Sequence, residues 1–587
     1  MLGIEDMRGF VSAEGTGGFI GLNPWVSLSS HVGQEKEKPP LPRMKGSLKS
    51  PLAIVFTIFL LGCQIANSQA QSLGGIPFAE LIHPLQVQIQ VGNTLAYIDK
   101  AWNELTRTIK DIPIAVQDVK VPHDPGKPWA LYISNLEDSA NIQTILAQTL
   151  SPSELSMIEI RTIPDDPEKI EEHGLLFLPY PYVVPGGRFN EMYGWDSYFI
   201  NLGLLASGRI NLAKSIVENY MYQVRHYGKV LNANRTYYLG RSNPPFMTRA
   251  IIEVFEHTKD LDWLKRTLPF LLDYYKFWTT PPHVLESGGL SRYFASGKGP
   301  APEVVWSEVD EQGTSHYDRV KEYYEKHTDV GYDKNLFFDA QTGKLTDLFY
   351  TGDRSVRESG FDPTARFGEF GVDIVNYFPV CLNTLLYIME HDISDICLLL
   401  NDSKRAALFE ELARRRKNAI NNLFWDEKKG MYFDYQFRSQ IRRVYPFLTT
   451  FYPLWAGIAS NDQAKRIVKN LSRFETSCGL QASLNSSGNQ WDAPFAWAPL
   501  QWIAVKGLLR YGYRKEASRI AEKFIYLVTE ECARTGTIRE KYNAQACNTE
   551  VIENVQFGYL TNEVGFGWTN GVYLDSLPLI NPMEELY

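Results

Sequence analysis

Residues 378–424 read FPVCLNTLLYIMEHDISDICLLLNDSKRAALFEELARRRKNAINNLF, and this stretch indicates the fold. It contains two segments, 378–391 and 404–424, in which apolar residues recur at positions i, i+3, i+4 and i+7. This spacing places the apolar side chains on one face of an α-helix, which can then pack against a core. The stretch therefore predicts two successive amphipathic helices.

The same period dominates the chain after about residue 190 and predicts further helices at 210–227, 261–278, 463–474, 498–511 and 514–530. Long polar and aromatic loops separate the helices, notably 281–320 and 325–370. Alternating β-patterns are short, as at 175–183 and 430–435, and no glycine-rich phosphate loop follows a strand, which disfavours a nucleotide-binding α/β domain. Two all-α architectures fit: an irregular helical bundle, or a toroid of paired inner and outer helices. The long loops favour the toroid, because its loops gather at one end and can form a pocket.

The composition excludes several classes of protein. Of 587 residues, 44% are hydrophobic, so the chain can bury enough surface to fold and is not disordered. Acidic residues outnumber basic ones by 68 to 59, which argues against a nucleic-acid partner. The sequence contains no CxxC pair and no HExxH motif, so we expect no metal site. Aromatic side chains are abundant, and they suit both a large core and the binding of sugar rings.

The segment 44–70, MKGSLKSPLAIVFTIFLLGCQIANSQA, has the pattern of a signal peptide. Two lysines precede an apolar run at 52–61, and the run is too short to span a bilayer. Residues 68–70 resemble a signal-peptidase site, whereas the residues around Cys63 resemble a lipobox, so a lipid anchor at Cys63 is a second possibility. A buried N-terminal helix is the alternative. The pattern predicts an exported protein, periplasmic or secreted.

Residues 1–43 have no such pattern and are predicted to be an unstructured or wrongly assigned extension, so the folded part is expected at 75–587. Export would permit disulfides, and Cys532 and Cys547 bracket a short segment. A bridge between them would close a loop of about 15 residues. Two free buried thiols are the alternative.

Several loop segments combine tryptophan, arginine and carboxylates. The segments are PGGRFNEMYGWDSY at 185–198, the stretch from Asn232 to Pro245, RESGFD at 357–362, QWDAPFAWAP at 490–499, REKYN at 539–543 and GFGWTNG at 565–571. A tryptophan beside an aspartate, as at Trp195 and Asp196, offers a sugar ring both a stacking face and a hydroxyl acceptor. Asp196 could equally be a helix N-cap.

Glycoside cleavage needs two carboxyl groups, one to protonate the leaving oxygen and one to activate water or attack carbon. The candidates in these segments are Asp196, Asp362, Asp492 and Glu540. Composition alone does not choose between them.

Two of the segments resemble the signature patterns of trehalases, glycoside hydrolase family 37. Residues 185–198 follow PGGRF-x-E-x-Y-x-WD-x-Y, and residues 490–499 follow QWD-x-P-x-(G/A)-WAP; residues 565–571 are similar to the closing motif of the family. The resemblance covers about residues 80 to 580. It implies one (α/α)6 toroid, a six-hairpin barrel with long catalytic loops and minor short strands. It also implies a small disaccharide or glucoside substrate, inversion of configuration, and no metal or organic cofactor.

By the same resemblance, Asp362 corresponds to the general acid of the family and Glu540 to its general base. We expect Asp492 to anchor its loop or a substrate hydroxyl. The remaining motif positions are similar to the glucose-binding residues of the family: Arg188, Phe189, Trp195, Asp196, Asn232, Arg241, Glu303, Gly360 and Trp491.

Three features depart from the pattern. Ala301 replaces an arginine of the family's RPRPESY motif, although Lys298 is close in sequence; Phe361 replaces the tryptophan before the acid; and residues 553–560 lack the glycine-rich GGEY lid. The resemblance thus predicts trehalose hydrolysis, with another small α-glucoside, a glucosylated polyol or glycerate, as the alternative substrate. A non-catalytic sugar-binding relative is the alternative from another class. The sequence leaves the oligomeric state open.

Overall fold

The computed structural model describes residues 78–285, 289–310, 312–550, 555, 557–559 and 561–580, with only the backbone described for 78–86. The predicted extension at 1–43, the predicted signal peptide at 44–70 and Cys63 lie outside these residues. All described residues belong to one compact unit.

Within the described residues, twelve helices form six antiparallel pairs, and we number these twelve α1 to α12. They are α1 Phe78–Leu105, α2 Gly194–Ala206, α3 Ile210–Tyr227, α4 Met247–Thr258, α5 Leu261–Trp278, α6 Val380–Leu399, α7 Ser403–Leu423, α8 Tyr452–Trp455, α9 Asn461–Phe474, α10 Ala498–Arg510, α11 Arg514–Thr535 and α12 Gly567–Ser576. The pairs are α2 with α3, α4 with α5, α6 with α7, α10 with α11, and α12 with α1, so the first helix pairs with the last. In the sixth pair, α9 contacts the turn Leu448–Phe451, which leads directly into α8.

The inner member of each pair contacts the inner members of the neighbouring pairs. Moving around the ring, α2 contacts α4, α4 contacts α6, α6 contacts α8, α8 contacts α10, α10 contacts α12, and α12 packs closely on α2. The contacts therefore close a circle, and the predicted all-α (α/α)6 toroid is confirmed.

Connection lengths place the functional loops at one end of the toroid. The turns from an inner to the following outer helix are short, as at 207–209, 259–260 and 511–513. The connections from an outer helix to the next inner one are long, and they carry every motif singled out in the sequence. Because all inner helices then begin at the same end, these long loops meet there.

The predicted outer helices agree with the structure because they have one apolar face. Helix α9 buries Ala464, Ile467, Leu471 and Phe474, spaced three or four residues apart, and begins at a capping box between Ser460 and Gln463. Among the inner helices, α6 and α10 were predicted, although α6 continues to Leu399, beyond the predicted end at 391; α2, α4, α8 and α12 were not predicted. In α2 each residue from Gly194 to Leu205 is buried, so no polar face marks the helical period.

Strands are short, as predicted. The predicted strand at 175–183 contains the strands Leu175–Leu176 and Tyr182–Val183, and the one at 430–435 contains Met431–Tyr432. A small sheet was not predicted: Trp129–Ile133 pairs in parallel with Ile158–Thr162 on one side and with Leu175–Leu176 on the other. The short helix Ser139–Thr149 connects the first two of these strands.

The cysteines pair differently from either alternative raised by the sequence. Cys547 forms a disulfide with Cys478, and Cys532 is a free buried thiol. The pairing results from tertiary contact, because the Thr476 hydroxyl donates a hydrogen bond to the Ala544 carbonyl and holds the two loops together at 2.7 Å. A bridge between Cys532 and Cys547 is therefore wrong.

We predict that the contact between α2 and α12 has no room for one more methyl group. A Cβ at Gly571 would lie 1.9 Å from the Phe199 carbonyl oxygen. Gly571→Ala should therefore lower the free energy of unfolding by about 1–3 kcal/mol, since overpacking displaces the backbone. Chemical denaturation of the variant and the parent measures the difference.

Gly92→Ala is the matched control. Gly92 lies inside α1 with open space around its Cα, so alanine there should be neutral or stabilising by about 0.5–1 kcal/mol. Equal stability of the two variants would contradict the close packing of α2 on α12.

Candidate active site

Aromatic rings from four separate segments of the chain, two of them in the first turns of α2 and α12, meet where the inner helices begin. The Trp195 ring lies 5.7 Å from Phe361, 5.8 Å from Trp491 and 5.8 Å from Trp568, measured between ring centroids. Trp491 in turn stacks on Trp497 at 3.9 Å with an angle of 6° between the planes. These rings form a wall of the kind on which a sugar can pack. Phe361 keeps an aromatic ring at the position where the family has tryptophan.

Asp196 belongs to the first turn of α2 beside Trp195 and is buried. Burial, followed by the charges of Glu540 and Asp362, raises the pKa of Asp196 well above its usual range. The three carboxyl groups of the predicted site therefore interact electrostatically.

Asp362 follows the helix Asp347–Glu358, and its side chain remains 27% exposed, so it faces open space. Gly360 permits this approach: its φ is +75°, and a Cβ there would lie 2.8 Å from the Trp195 ring. Burial raises the pKa of Asp362 to about 7, against the opposing charge of Arg357, whose Nη1 lies 3.6 Å from Asp362 Oδ2. Asp362 is thus a carboxyl group that retains its proton up to near-neutral pH.

Arg357 was not among the predicted site residues, although it lies five positions before Asp362 in RESGFD. Its guanidinium donates to Glu308 Oε1 at 2.7 Å and to Asp353 Oδ1 at 3.2 Å. The charge of Arg357 counteracts the effect of burial on Glu308 and lowers the pKa of that carboxyl to about 2. Two carboxylates therefore hold the arginine beside Asp362.

Glu540 lies just before the strand Lys541–Asn543 and is 2% exposed. The Tyr559 hydroxyl donates a hydrogen bond to Glu540 Oε1, and Lys541 Nζ lies 3.7 Å from Oε2. Burial raises the pKa of Glu540, whereas Lys541 and the Tyr559 hydrogen bond act in the opposite direction. The indole nitrogen of Trp568 donates to the Glu540 carbonyl at 3.1 Å and fixes the backbone.

The predicted binding residues line the same region. Arg241 Nη2 donates to Glu303 Oε1 at 2.6 Å, and both residues are buried. The Arg188 guanidinium lies 4.6 Å above the Tyr559 ring, and Phe189 meets the same ring edge-on. The Asn232 side chain makes two long contacts, 3.4 Å each, to the carbonyl oxygens of Ser242 and Arg357.

Four buried polar atoms in this region have no hydrogen-bond partner among the described residues: Arg188 Nε, Arg241 Nε, Glu303 Oε2 and Glu540 Oε2. Buried polar atoms are nearly always satisfied in folded proteins. Hydroxyl groups of a bound sugar can satisfy them, since each hydroxyl both donates and accepts.

Asp492 makes the contacts of a structural anchor. Its carboxylate accepts hydrogen bonds from the Ser487 hydroxyl at 2.6 Å, the Ala365 amide at 2.9 Å and the Thr364 hydroxyl at 3.2 Å. The side chain is fully buried and ties the second signature loop to the loop that follows Asp362.

The stretch that contains Lys298 and Ala301 departs from the family pattern, and Lys298 does not take the place of the missing arginine. Lys298 does not reach the pocket: its amine pairs with Glu168 at 3.0 Å, and its side chain is 85% exposed. Ala301 is buried in an apolar cluster with Val304 and Tyr317. The positive charge near the acid is instead that of Arg357.

Tyr559 and Lys541 are further site residues that the motifs did not single out. Tyr559 lies in the segment that differs from the family's lid, and no spacing rule connects it to Glu540. Lys541 is adjacent to Glu540 in sequence, and this adjacency could have identified it.

These observations define a class of protein: a toroidal glycoside hydrolase with a partly exposed and a buried carboxyl group beside an aromatic wall. Comparison with known proteins agrees, because the profile of the Trehalase family matches residues 136–581. The chain is similar to the cytosolic neutral trehalase of Beauveria bassiana (strain ARSEF 2860), with 35% identity over 556 residues, 82% of this chain and 73% of that protein. For the cytosolic neutral trehalase of Saccharomyces cerevisiae (strain ATCC 204508 / S288c) the identity is 33% over 541 residues, 82% of this chain and 70% of that protein.

A solved structure, the neutral trehalase Nth1 from Saccharomyces cerevisiae, superimposes with a TM-score of 0.70 at 32% identity and covers 84% of this chain and 94% of its own. The chain belongs to the trehalase family.

The comparisons also correct one prediction. The two relatives are named cytosolic, so the predicted signal peptide at 44–70 and the periplasmic or secreted location are wrong, and the lipid anchor at Cys63 is not supported. An apolar run of this length is not specific to signal peptides, since buried helices of about 10–14 residues have the same composition. Among the described residues, no helix has the length and apolar character needed to cross a membrane.

We predict that Asp492 stabilises the pocket without transferring a proton. Asp492→Asn should lower the free energy of unfolding by about 1–3 kcal/mol, because an amide cannot accept all three hydrogen bonds. Turnover should fall far less than in Asp362→Asn. Thermal melts and initial rates with trehalose measure both effects.

Asp165→Asn, in an exposed loop, is the control and should change neither quantity. A loss of turnover as large as that of Asp362→Asn, at unchanged stability, would show that Asp492 takes part in the chemistry.

Proposed function

We propose that the protein hydrolyses trehalose, the α,α-1,1-linked disaccharide, to two molecules of glucose, with Asp362 as general acid and Glu540 as general base. The observation that carries the assignment is the difference between the surroundings of the two carboxyl groups. Burial raises the pKa of Asp362 to about 7, and one side of this carboxyl group is open. Burial also raises the pKa of Glu540, but the Lys541 charge and the hydrogen bond from the Tyr559 hydroxyl favour its ionised form. Inverting hydrolysis requires a proton donor at one carboxyl group and an ionised base at the other.

In the proposed mechanism, Asp362 donates its proton to the oxygen that links the two glucose units. Glu540 removes a proton from a water molecule, which attacks the anomeric carbon from the opposite face and inverts its configuration. The two carboxyl groups of an inverting pair stand about 6.5–9.5 Å apart to leave room for this water. Both groups return to their starting states after one proton passes from Glu540 to Asp362 through solvent.

Arg357 has a role after proton transfer. Its guanidinium lies 3.6 Å from Asp362 Oδ2, so it stabilises the carboxylate that forms when Asp362 loses its proton. The two carboxylates that hold Arg357 keep it in place during this change. Arg357 also supplies a positive charge near Asp362, whereas Ala301 takes the place of the arginine in the family motif.

The remaining predicted residues bind the sugar. Trp195, Trp491 and Phe189 offer their rings to the apolar faces of glucose, and Arg188, Asn232, Arg241, Glu303 and Asp196 offer donors and acceptors for hydroxyl groups. We propose that residues 75–587 form this single catalytic domain. The alternatives, a hydrolase of another small α-glucoside and a non-catalytic sugar-binding relative, are not favoured, since the similar proteins are trehalases by name.

Removing either carboxyl group should abolish turnover. We expect Asp362→Asn and Glu540→Gln each to lower kcat by about 10³-fold or more, because each variant loses one proton-transfer step. Anomer-resolved NMR of trehalose hydrolysis is the measurement. The parent should release one α-glucose and one β-glucose per trehalose at early times, which is the signature of inversion.

Both variants should melt within a few degrees of the parent, and Asp165→Asn should keep the parental rate. Near-normal rates in either carboxyl variant would refute the assignment of that residue. Two α-anomers as initial products would refute inversion.

The activity should also fall as the pH rises through about 7. The acid acts only while protonated, and the pKa of Asp362 is raised to about 7, so deprotonation above this pH removes the proton donor. A profile of kcat/KM against pH, with intrinsic fluorescence recorded at each pH to confirm folding, tests this. An alkaline limb that lies well above pH 8 would contradict the assignment of Asp362 as the acid.

A further inference from the structure

Lys541 occupies an enclosed position beside the general base. The strand Lys541–Asn543 pairs with Phe495–Trp497, and Lys541 stands opposite Trp497. Lys541 has no exposed surface, and its amine lies 3.9 Å from the centre of the Tyr559 ring and 5.5 Å from that of Trp497. Because the rings and the backbone enclose the amine, Lys541 does not face the open side of the pocket where substrate binds.

Gln490 connects this lysine to the acid. Lys541 Nζ donates a hydrogen bond to Gln490 Oε1 at 2.9 Å, and Gln490 Nε2 donates one to the Asp362 carbonyl oxygen. Gln490 is itself buried, and it lies in the signature loop next to Trp491. The Gln490 side chain thus connects Lys541, the neighbour of Glu540, to the backbone of Asp362. Gln490 and Asp362 lie 128 residues apart in sequence.

We propose that Lys541 and Gln490 are positioning residues, which together set the placement of Asp362 relative to Glu540, while the positive charge of Lys541, 3.7 Å from Glu540 Oε2, favours the ionised form of Glu540. The proposal rests on the proposed roles of the two carboxyl groups. Neither residue touches the reacting atoms. Lys541 acts through Glu540, and Gln490 acts through Lys541 and the backbone of Asp362.

The charges around Glu540 show why the lysine is needed. Burial and the anion Glu563 favour the protonated form of Glu540, and the carboxyl of Asp196 on α2 lies near enough to interact with it. Lys541, the Tyr559 hydroxyl and Arg188 favour the ionised form, and Lys541 has the largest effect of the three.

Lys541 can hold its charge in this position. Its amine faces the carboxyl groups of Glu540, Glu563 and Asp362, and it also faces the cation Arg188. Burial lowers the pKa of Lys541 to about 8, so the amine remains protonated at neutral pH. At neutral pH a protonated lysine therefore lies beside Glu540.

The test uses Lys541→Met and Lys541→Arg in the full-length chain, with kcat/KM for trehalose measured from pH 4.5 to 8. Lys541→Met keeps the length of the side chain and removes its charge, so Glu540 should bind its proton up to a higher pH. We expect the activity of this variant at pH 5, relative to its own activity at pH 7, to be about tenfold lower than in the parent. Lys541→Arg keeps the charge, so its acid limb should match that of the parent even if kcat falls.

Gln490→Met separates positioning from charge. It removes both hydrogen bonds of the amide and leaves Lys541 charged, so kcat should fall while the acid limb and KM change little. Lys417→Met is the matched control, since Lys417 is a half-buried lysine on the outer helix α7 that bonds the Gly457 carbonyl. Its pH profile should equal that of the parent.

An acid limb in Lys541→Met that matches the parent, in an enzyme inactivated by Glu540→Gln, would overturn this inference and leave the proposed function intact. Normal turnover in Glu540→Gln would instead refute the role of the base, and the inference with it. If Lys541→Met does not fold, the other two variants decide: a shifted acid limb in Lys541→Arg, or parental kcat in Gln490→Met, would overturn the proposal.

Discussion

The packing of α2 against α12 is the contact on which the pocket depends. The two helices approach so closely that the Gly571 Cα leaves no room for a side chain at Gly203, and a side chain at Gly571 would meet the Phe199 carbonyl. This approach joins the last inner helix to the first and closes the ring. Both helices begin at the pocket, with Trp195 on one and Trp568 on the other, and Trp568 holds the backbone of Glu540. Closing the ring therefore also brings the aromatic rings together and positions Glu540.

The second constraint is the removal of charged groups from water. The pocket buries three interacting carboxyl groups, and burial favours the protonated form of each. Cations oppose the effect of burial at two of them, Arg357 at Asp362 and Lys541 at Glu540, and the Tyr559 hydroxyl also opposes it at Glu540. The local partners, not the residue types, thus set how readily each carboxyl group holds its proton.

The departures from the family pattern have a common physical explanation. The Ala301 stretch lacks an arginine, but the neighbouring helix brings Arg357 to the acid, and Phe361 preserves the aromatic contact with Trp195 and Trp491. Where the motif lacks its arginine, a residue of a different helix therefore supplies the positive charge. The segment that differs from the lid still contributes Tyr559, which binds the base.

The sequence by itself determined the all-α class and, through motifs that resemble one family, pointed to Asp362 and Glu540 as the catalytic pair, because amphipathic periods and short motifs are local patterns. The outer helices α3, α5, α7, α9 and α11 could be predicted to within a few residues for this reason, whereas α1 was not predicted and neither was α2, which is buried on all sides and shows no period. The tertiary structure alone decided the partners of each carboxyl group. Arg357 and Glu308 are 49 residues apart, Gln490 and Asp362 are 128 apart, and Cys478 and Cys547 are 69 apart. Such pairs follow from how the toroid closes, and closure is a property of the packed helices, which no short stretch of the chain contains.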